Sequence, residues 1–155
     1  MKDFLAKLIK QGNLKIGEPS ENISKAYLEK SVSNFEAAKI LLRNDKLEES
    51  VSFVYYSMYN LVLSLLYQIG IKSGNHSASI FLLKVIFNFE NKDIIEMKKE
   101  RIDKQYYIGF HITKREVEEE MKIAENFNRE LRAFVLGVGK NDIKNYRDKF
   151  KGMIK

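Results

Sequence analysis

Arginine, histidine and clustered tyrosine hydroxyls are the groups in this sequence best suited to handling a phosphate. Arginine neutralises anionic charge, histidine moves protons near neutral pH, and tyrosine rings offer stacking surfaces with a polar tip. They concentrate in two segments. One is Tyr55-Tyr56-Ser57-Met58-Tyr59-Asn60. The other is Arg101-Ile102-Asp103-Lys104-Gln105-Tyr106-Tyr107, which opens ten residues before His111. By type and spacing Arg101, Tyr106 and His111 are candidate site residues, with Arg101 and His111 as a candidate catalytic pair. Tyr55, Tyr59 and His76 would contact a nucleotide or RNA. His76 precedes a helix start, where free backbone N–H groups attract anions. Plainer roles stand beside these. Tyr55 and Tyr59, one turn apart, also suit core tyrosines. His76 also suits a capping or packing role, and Arg101 a solvated surface charge. Spacing constrains the pairing as well. Arg101 and Gln105 share a helix face, and ten residues of unbroken helix would rotate His111 off it. The two meet within one chain only through a bend at Gly109, or otherwise across a dimer axis.

The elements that must position these residues read as helices. A single proline and eight glycines in 155 residues leave few breakers. Residues 2–11 form a short amphipathic helix and Gly12 to Gly17 a loop. Ser20 caps a helix that runs to about Arg43, with Ile23, Tyr27, Phe35, Ala38, Leu41 and Leu42 at mostly helical spacing. Leu47 to Ile69 follows, apolar around so much of its circumference that it must be the central helix. Lys72 to His76 is a loop, and Asn75 or Ser77 caps a short helix, Ala78 to Phe87. A charged helix covers 91–108. Thr113-Lys114-Arg115-Glu116 is a capping box opening a helix to about Gly137, and an amphipathic helix spans about Asn141 to Met153. No segment has the alternation of a convincing strand. The expected fold is an all-α, up-and-down bundle of four or five main helices with accessory helices at both ends, in a single domain over 1–155.

Composition excludes several chemistries. There is no cysteine, hence no disulfide or thiolate metal site, and two histidines are too few for a zinc centre. No glycine-rich phosphate loop, Gly-x-Ser-x-Gly elbow or His-Glu metal signature is present, so neither metal nor cofactor is implied. Charges within the N-terminal apolar stretch argue against a signal peptide, and no apolar run reaches membrane-spanning length, so a cytoplasmic location is expected. The net charge of +6 tilts toward anionic partners such as RNA, nucleotides or an acidic protein. The lysines are spread along the chain, however, and serve solubility equally well.

Three segments together resemble the HEPN domain family, in its small prokaryotic branch associated with minimal nucleotidyltransferases. They are Ser24 to Arg43, then Glu49 to Asn60 followed by the loop Gly70 to His76, and Arg101 to Tyr106 followed by Ile112-Thr113 and the helix through Ala124-Glu125-Asn126-Phe127. The resemblance covers about residues 22–135. It implies a helical bundle that pairs as a homodimer. It also implies an RNA- or nucleotide-interacting protein, with the toxin-like RNase half of a nucleotidyltransferase/HEPN pair as one form. The alternative form is a non-catalytic subunit that binds a nucleotidyltransferase partner or nucleotide. In the RNase members an Arg-x(4–6)-His motif at the dimer interface acts without metal. Here nine residues separate Arg101 from His111, so that motif is not met, and Gln105 stands where the branch has Asp. Tyr106 matches the family tyrosine. The resemblance implies that Arg101 would bind phosphate, that Tyr106 would line the site, and that any proton transfer would fall to His111 first and to His76 second.

Overall fold

The computed structural model describes the backbone of residues 1–106 and 111–155, and the side chains outside residues 102–110. Helices α1 (Lys2–Lys10), α2 (Glu21–Arg43), α3 (Leu47–Gln68), α4 (His76–Phe87), α5 (Lys92–Tyr106), α6 (Lys114–Leu136) and α7 (Lys140–Ile154) surround one core, as an all-α bundle. The caps read from sequence do their work. Ser20 Oγ accepts from the Ile23 N–H (3.2 Å) and Asn75 Oδ1 from the Ala78 N–H (2.9 Å). Thr113 and Glu116 form a reciprocal capping box. Each satisfies backbone donors that the first turn leaves free.

α3 is the axis of the bundle. It packs on α2, α5 and α6, and Val51, Val54, Tyr55, Met58, Leu61, Val62, Leu65 and Leu66 are fully buried. Its seam with α2 is built differently from the apolar stripe expected on α2. Ile23 is exposed, and the buried residues of α2 are Ser24, Ser31, Ala38 and Leu42. Ser24, Ser31 and Ala38 recur every seven residues, as do Ser50, Ser57 and Ser64 on α3. A seven-residue repeat keeps one face toward the partner helix. The two series meet antiparallel: Ser24 Oγ lies 2.9 Å from Ser64 Oγ, Ser31 Oγ donates to the Ser57 carbonyl (2.6 Å), and Ser50 Oγ donates to the Ala38 carbonyl (2.8 Å). Small side chains bring the two backbones close, and hydrogen bonds satisfy every hydroxyl buried in the seam.

The segments read as loops around 12–17 and 70–76 contain a two-stranded antiparallel ribbon, β1 (Leu14–Ile16) with β2 (Ile71–Ser73), in register Leu14↔Ser73 and Ile16↔Ile71. Three residues are too few to display alternation, so the sequence carries no strand signal there. The ribbon matters because β2 delivers the chain directly to His76. Its base is fastened by Arg147 of α7, whose guanidinium donates to the carbonyls of Gly17 and Ile69, 2.7 Å each. Gly70, at φ +81°, makes the turn between α3 and β2, in a region that disfavours side chains.

Candidate functional site

Five aromatic and basic side chains converge where α3, α4 and α5 meet. Residues 55, 56 and 59 lie within about one turn of α3, so their side chains spread toward both flanking helices. Tyr55 is wholly buried, yet its hydroxyl reaches His76 Nδ1 at 2.8 Å. Tyr59 stacks on the His76 imidazole, with centroids 3.9 Å apart and planes 19° from parallel. The Tyr59 hydroxyl lies 3.1 Å from Ser79 Oγ, which is also 2.8 Å from Ser73 Oγ and 2.9 Å from the Asn75 carbonyl. The central helix thus holds the His76 ring through Tyr55 and Tyr59, and Ser79 ties Tyr59 to the ribbon and the α4 cap.

Arg101 closes the other side of the cluster. Its guanidinium carbon lies 5.0 Å from the Tyr55 ring centroid and 5.2 Å from that of Tyr56, and Nη1 donates to the Tyr56 hydroxyl at 2.6 Å. Ring faces attract the cation, and the hydrogen bond fixes its orientation. Lys98, one turn earlier on α5, donates through Nζ to Ser77 Oγ at 2.6 Å, tying α5 to the first turn of α4.

These neighbours set the protonation states. Burial, with the positive charges of Arg101 and Lys98, holds the His76 pKa below 6.5. The imidazole is therefore neutral at physiological pH. Burial pushes the Tyr55 hydroxyl up, helped by Tyr59 and opposed by Arg101, and pushes Tyr59 up to about 12. Both phenols stay protonated. With Nδ1 engaged by Tyr55, Nε2 is the ring nitrogen left to exchange a proton with a ligand. The arrangement offers a fixed cation, a neutral imidazole and stacked rings, which suits a phosphate ester.

The structure therefore gathers Tyr55, Tyr59, His76 and Arg101 into one cluster. His111 lies elsewhere, exposed beside the α2–α3 turn, where it lines a cavity of about 320 Å³ with Asp45, Lys46, Glu48 and Glu49. Tyr56, which anchors Arg101, is nine residues along α3 from Leu47, or about 13 Å by helical rise. Within one chain, Arg101 and His111 thus serve different surfaces. The side chains of Gln105 and Tyr106, and the bend expected at Gly109, lie outside the described residues. Two participants went unassigned in the sequence. Tyr56 was legible only as part of a tyrosine run, and Lys98 as one lysine among many. Among the described residues no group of three or more His, Asp or Glu side chains could hold a metal ion, and no helix is long and apolar enough to cross a membrane.

The family model described as HEPN domain matches residues 24–133. No curated protein matches the sequence. The matched span begins within the first turn of α2 and ends in the last turn of α6, so it takes in the serine seam, the central helix and the whole Arg101–His76 cluster. The chain belongs to the HEPN domain family, and with it to a function that is RNA- or nucleotide-related at the level of that family.

Proposed function

We propose that this protein binds RNA or a nucleotide through the Arg101–Tyr55–Tyr56–His76 cluster, works as a homodimer, and acts as the toxin-like RNase half of a nucleotidyltransferase/HEPN pair. The observation that carries this reading is the held guanidinium. Arg101 lies over two tyrosine rings, bonded to Tyr56, beside a neutral histidine. A cation fixed before the ligand arrives stabilises phosphate charge without reorganising. In cleavage, His76 Nε2 takes the proton of a ribose 2′-OH while Nδ1–H donates to the Tyr55 oxygen. The 2′-oxygen bonds to the adjacent phosphorus, and the bond to the 5′-oxygen breaks. The imidazolium returns its proton to that leaving oxygen, giving a 2′,3′-cyclic phosphate and a 5′-OH. Arg101 offsets the charge that builds on the phosphoryl oxygens. Tyr106 lines the phosphate site in this scheme, and His111 enters it where a second protomer supplies it, as the alternative proton carrier.

A second reading is a non-catalytic subunit that holds a nucleotidyltransferase partner or a nucleotide. It is favoured by the nine residues between Arg101 and His111, outside the Arg-x(4–6)-His spacing. Incubating purified protein with RNA in chelator separates the two. The first reading expects cyclic-phosphate ends, with His76→Ala slower by a factor of about 10² or more, as for loss of a general base. It also expects Arg101→Ala to be similarly impaired. Absence of cleavage, with co-purification of a nucleotidyltransferase, moves the conclusion to the second reading.

A further inference from the structure

We infer that the site's natural ligand is a single-stranded polynucleotide, one base of which seats in a slot between α4 and α5 beside the phosphate-binding residues. This rests on the reading of the site given above and adds the ligand class to it. The slot has a volume of about 260 Å³, and its apolar wall is Ile80, Phe81 and Ile95. Its rim carries Ser77 and Lys98, the pair whose 2.6 Å hydrogen bond also borders His76. Slot and site therefore share an edge. Two helical series run along both. On α5, Ile95, Lys98 and Arg101 follow at intervals of three, so Lys98 is a neighbour of both and the row winds obliquely around the helix from one to the other. On α4, His76 and Ser77 lead into Ile80 and Phe81 at the corresponding positions. Asn91 Nδ2 donates to the Ile80 carbonyl (3.0 Å), which fixes the far end and sets the helices antiparallel.

The chemistry changes along this track. At one end are a guanidinium, an ammonium and an imidazole, suited to a phosphate and its ribose hydroxyl. At the other, about 9 Å away by the rise of α5 between Arg101 and Ile95, is an apolar slot with an aromatic wall. That alternation of cationic and aromatic surface is how proteins follow single strands, since phosphates take the charges and bases take the rings. The slot is large enough for one nucleobase. Lys98 at its rim, whose ammonium bonds the neutral Ser77 hydroxyl, favours a polyanionic occupant over an apolar peptide.

The test is fluorescence anisotropy at low salt with a short 2′-O-methyl single strand, which cannot be cleaved, and with an abasic chain of the same length. Phe81→Ala and Ile95→Ala alter residues that are at least partly exposed, and thermal denaturation confirms that they fold. Both are expected to weaken binding of the base-bearing strand on the order of 5- to 100-fold, the scale of one stacked base. They should leave the abasic chain unaffected, whereas Arg101→Ala weakens both ligands. If the slot variants bind the strand as tightly as wild type while Arg101→Ala does not, the slot is overturned and the phosphate site stands. If they weaken the abasic chain equally, the slot holds something other than a base, such as a partner's side chain, and the inference is again overturned. If Arg101→Ala changes neither ligand, the site reading falls and the slot with it.

Discussion

His76 shows how a residue's chemistry is set by contacts that its sequence neighbours do not supply. Its ring is covered by Tyr59, bonded to Tyr55, and faced by Arg101 and Lys98. All of these come from other elements; burial first, and then the charges of Arg101 and Lys98, lower its pKa. The sign of the consequence for stability follows directly. Between its lowered folded value and the ordinary 6.5, the unfolded chain binds the proton better, so stability rises with pH through that window and is lost as pH falls below 6.5. NMR titration of the His76 ring should place its midpoint below 6.5, and the acid-side loss of melting temperature should flatten in His76→Gln. An anionic ligand at Arg101 screens that positive charge, so bound phosphate should move the midpoint upward. A midpoint unmoved by ligand would separate His76 from the binding site.

Two elements decide where the site lies, and each has a test. The β1–β2 ribbon carries the chain from the central helix to His76, and Gly70 is its pivot. A Cβ at Gly70 would fall on the Arg147 guanidinium and lie 2.5 Å from the Gly17 carbonyl and 2.8 Å from Pro19 N. Left-handed backbone with a side chain adds about 1–2 kcal/mol of its own. Gly70→Ala should therefore lose at least about 2 kcal/mol in denaturant unfolding, more than Gly152→Ala, where nothing lies within 4 Å. The α2–α3 seam is the second element. Ser57 Oγ donates to the Val54 carbonyl (2.6 Å) and accepts from Asn128 Nδ2 of α6 (3.0 Å), so the seam also holds the third helix. Ser57→Val should cost about 1–3 kcal/mol through overpacking and the unpaired Asn128 donor, whereas Ser33→Val on the exposed face of α2 should cost under about 0.5 kcal/mol.

At the scale of the molecule, a net charge of +6 with Arg101 and Lys98 side by side should make the proposed binding of a single strand salt-dependent. Each neutralised phosphate contributes a slope of about −0.7 in log K against log salt, so Arg101→Ala should flatten the slope by roughly one contact, seen in anisotropy titrations across salt. Much of this architecture is legible in the amino-acid sequence. Helix positions follow from apolar periodicity and from the caps at Ser20, Asn75 and Thr113, because both depend on residues within a turn of each other. The family follows from ordered segments, Ser24 to Arg43, Glu49 to Asn60 and Arg101 to Tyr106, and the tyrosines, His76 and Arg101 stand out by type. The serine repeats at 24, 31 and 50, 57, 64 are also plain in the sequence, but polar residues at core positions carry no signal until a partner helix supplies their acceptors. The ribbon escapes because its strands are three residues long and pair across more than fifty residues of chain. Which histidine faces Arg101 is likewise a tertiary outcome. Sequence distance favours His111, ten residues away, over His76, twenty-five away. The antiparallel packing of α4 against α5 and the clamp on the His76 ring bring His76 to the arginine, and the position of His111 at the α2–α3 turn takes it elsewhere. Local sequence determined what each helix is and which residues have reactive groups. Long-range packing decided which groups meet, because proximity across a bundle is set by helix register and crossing, not by separation along the chain.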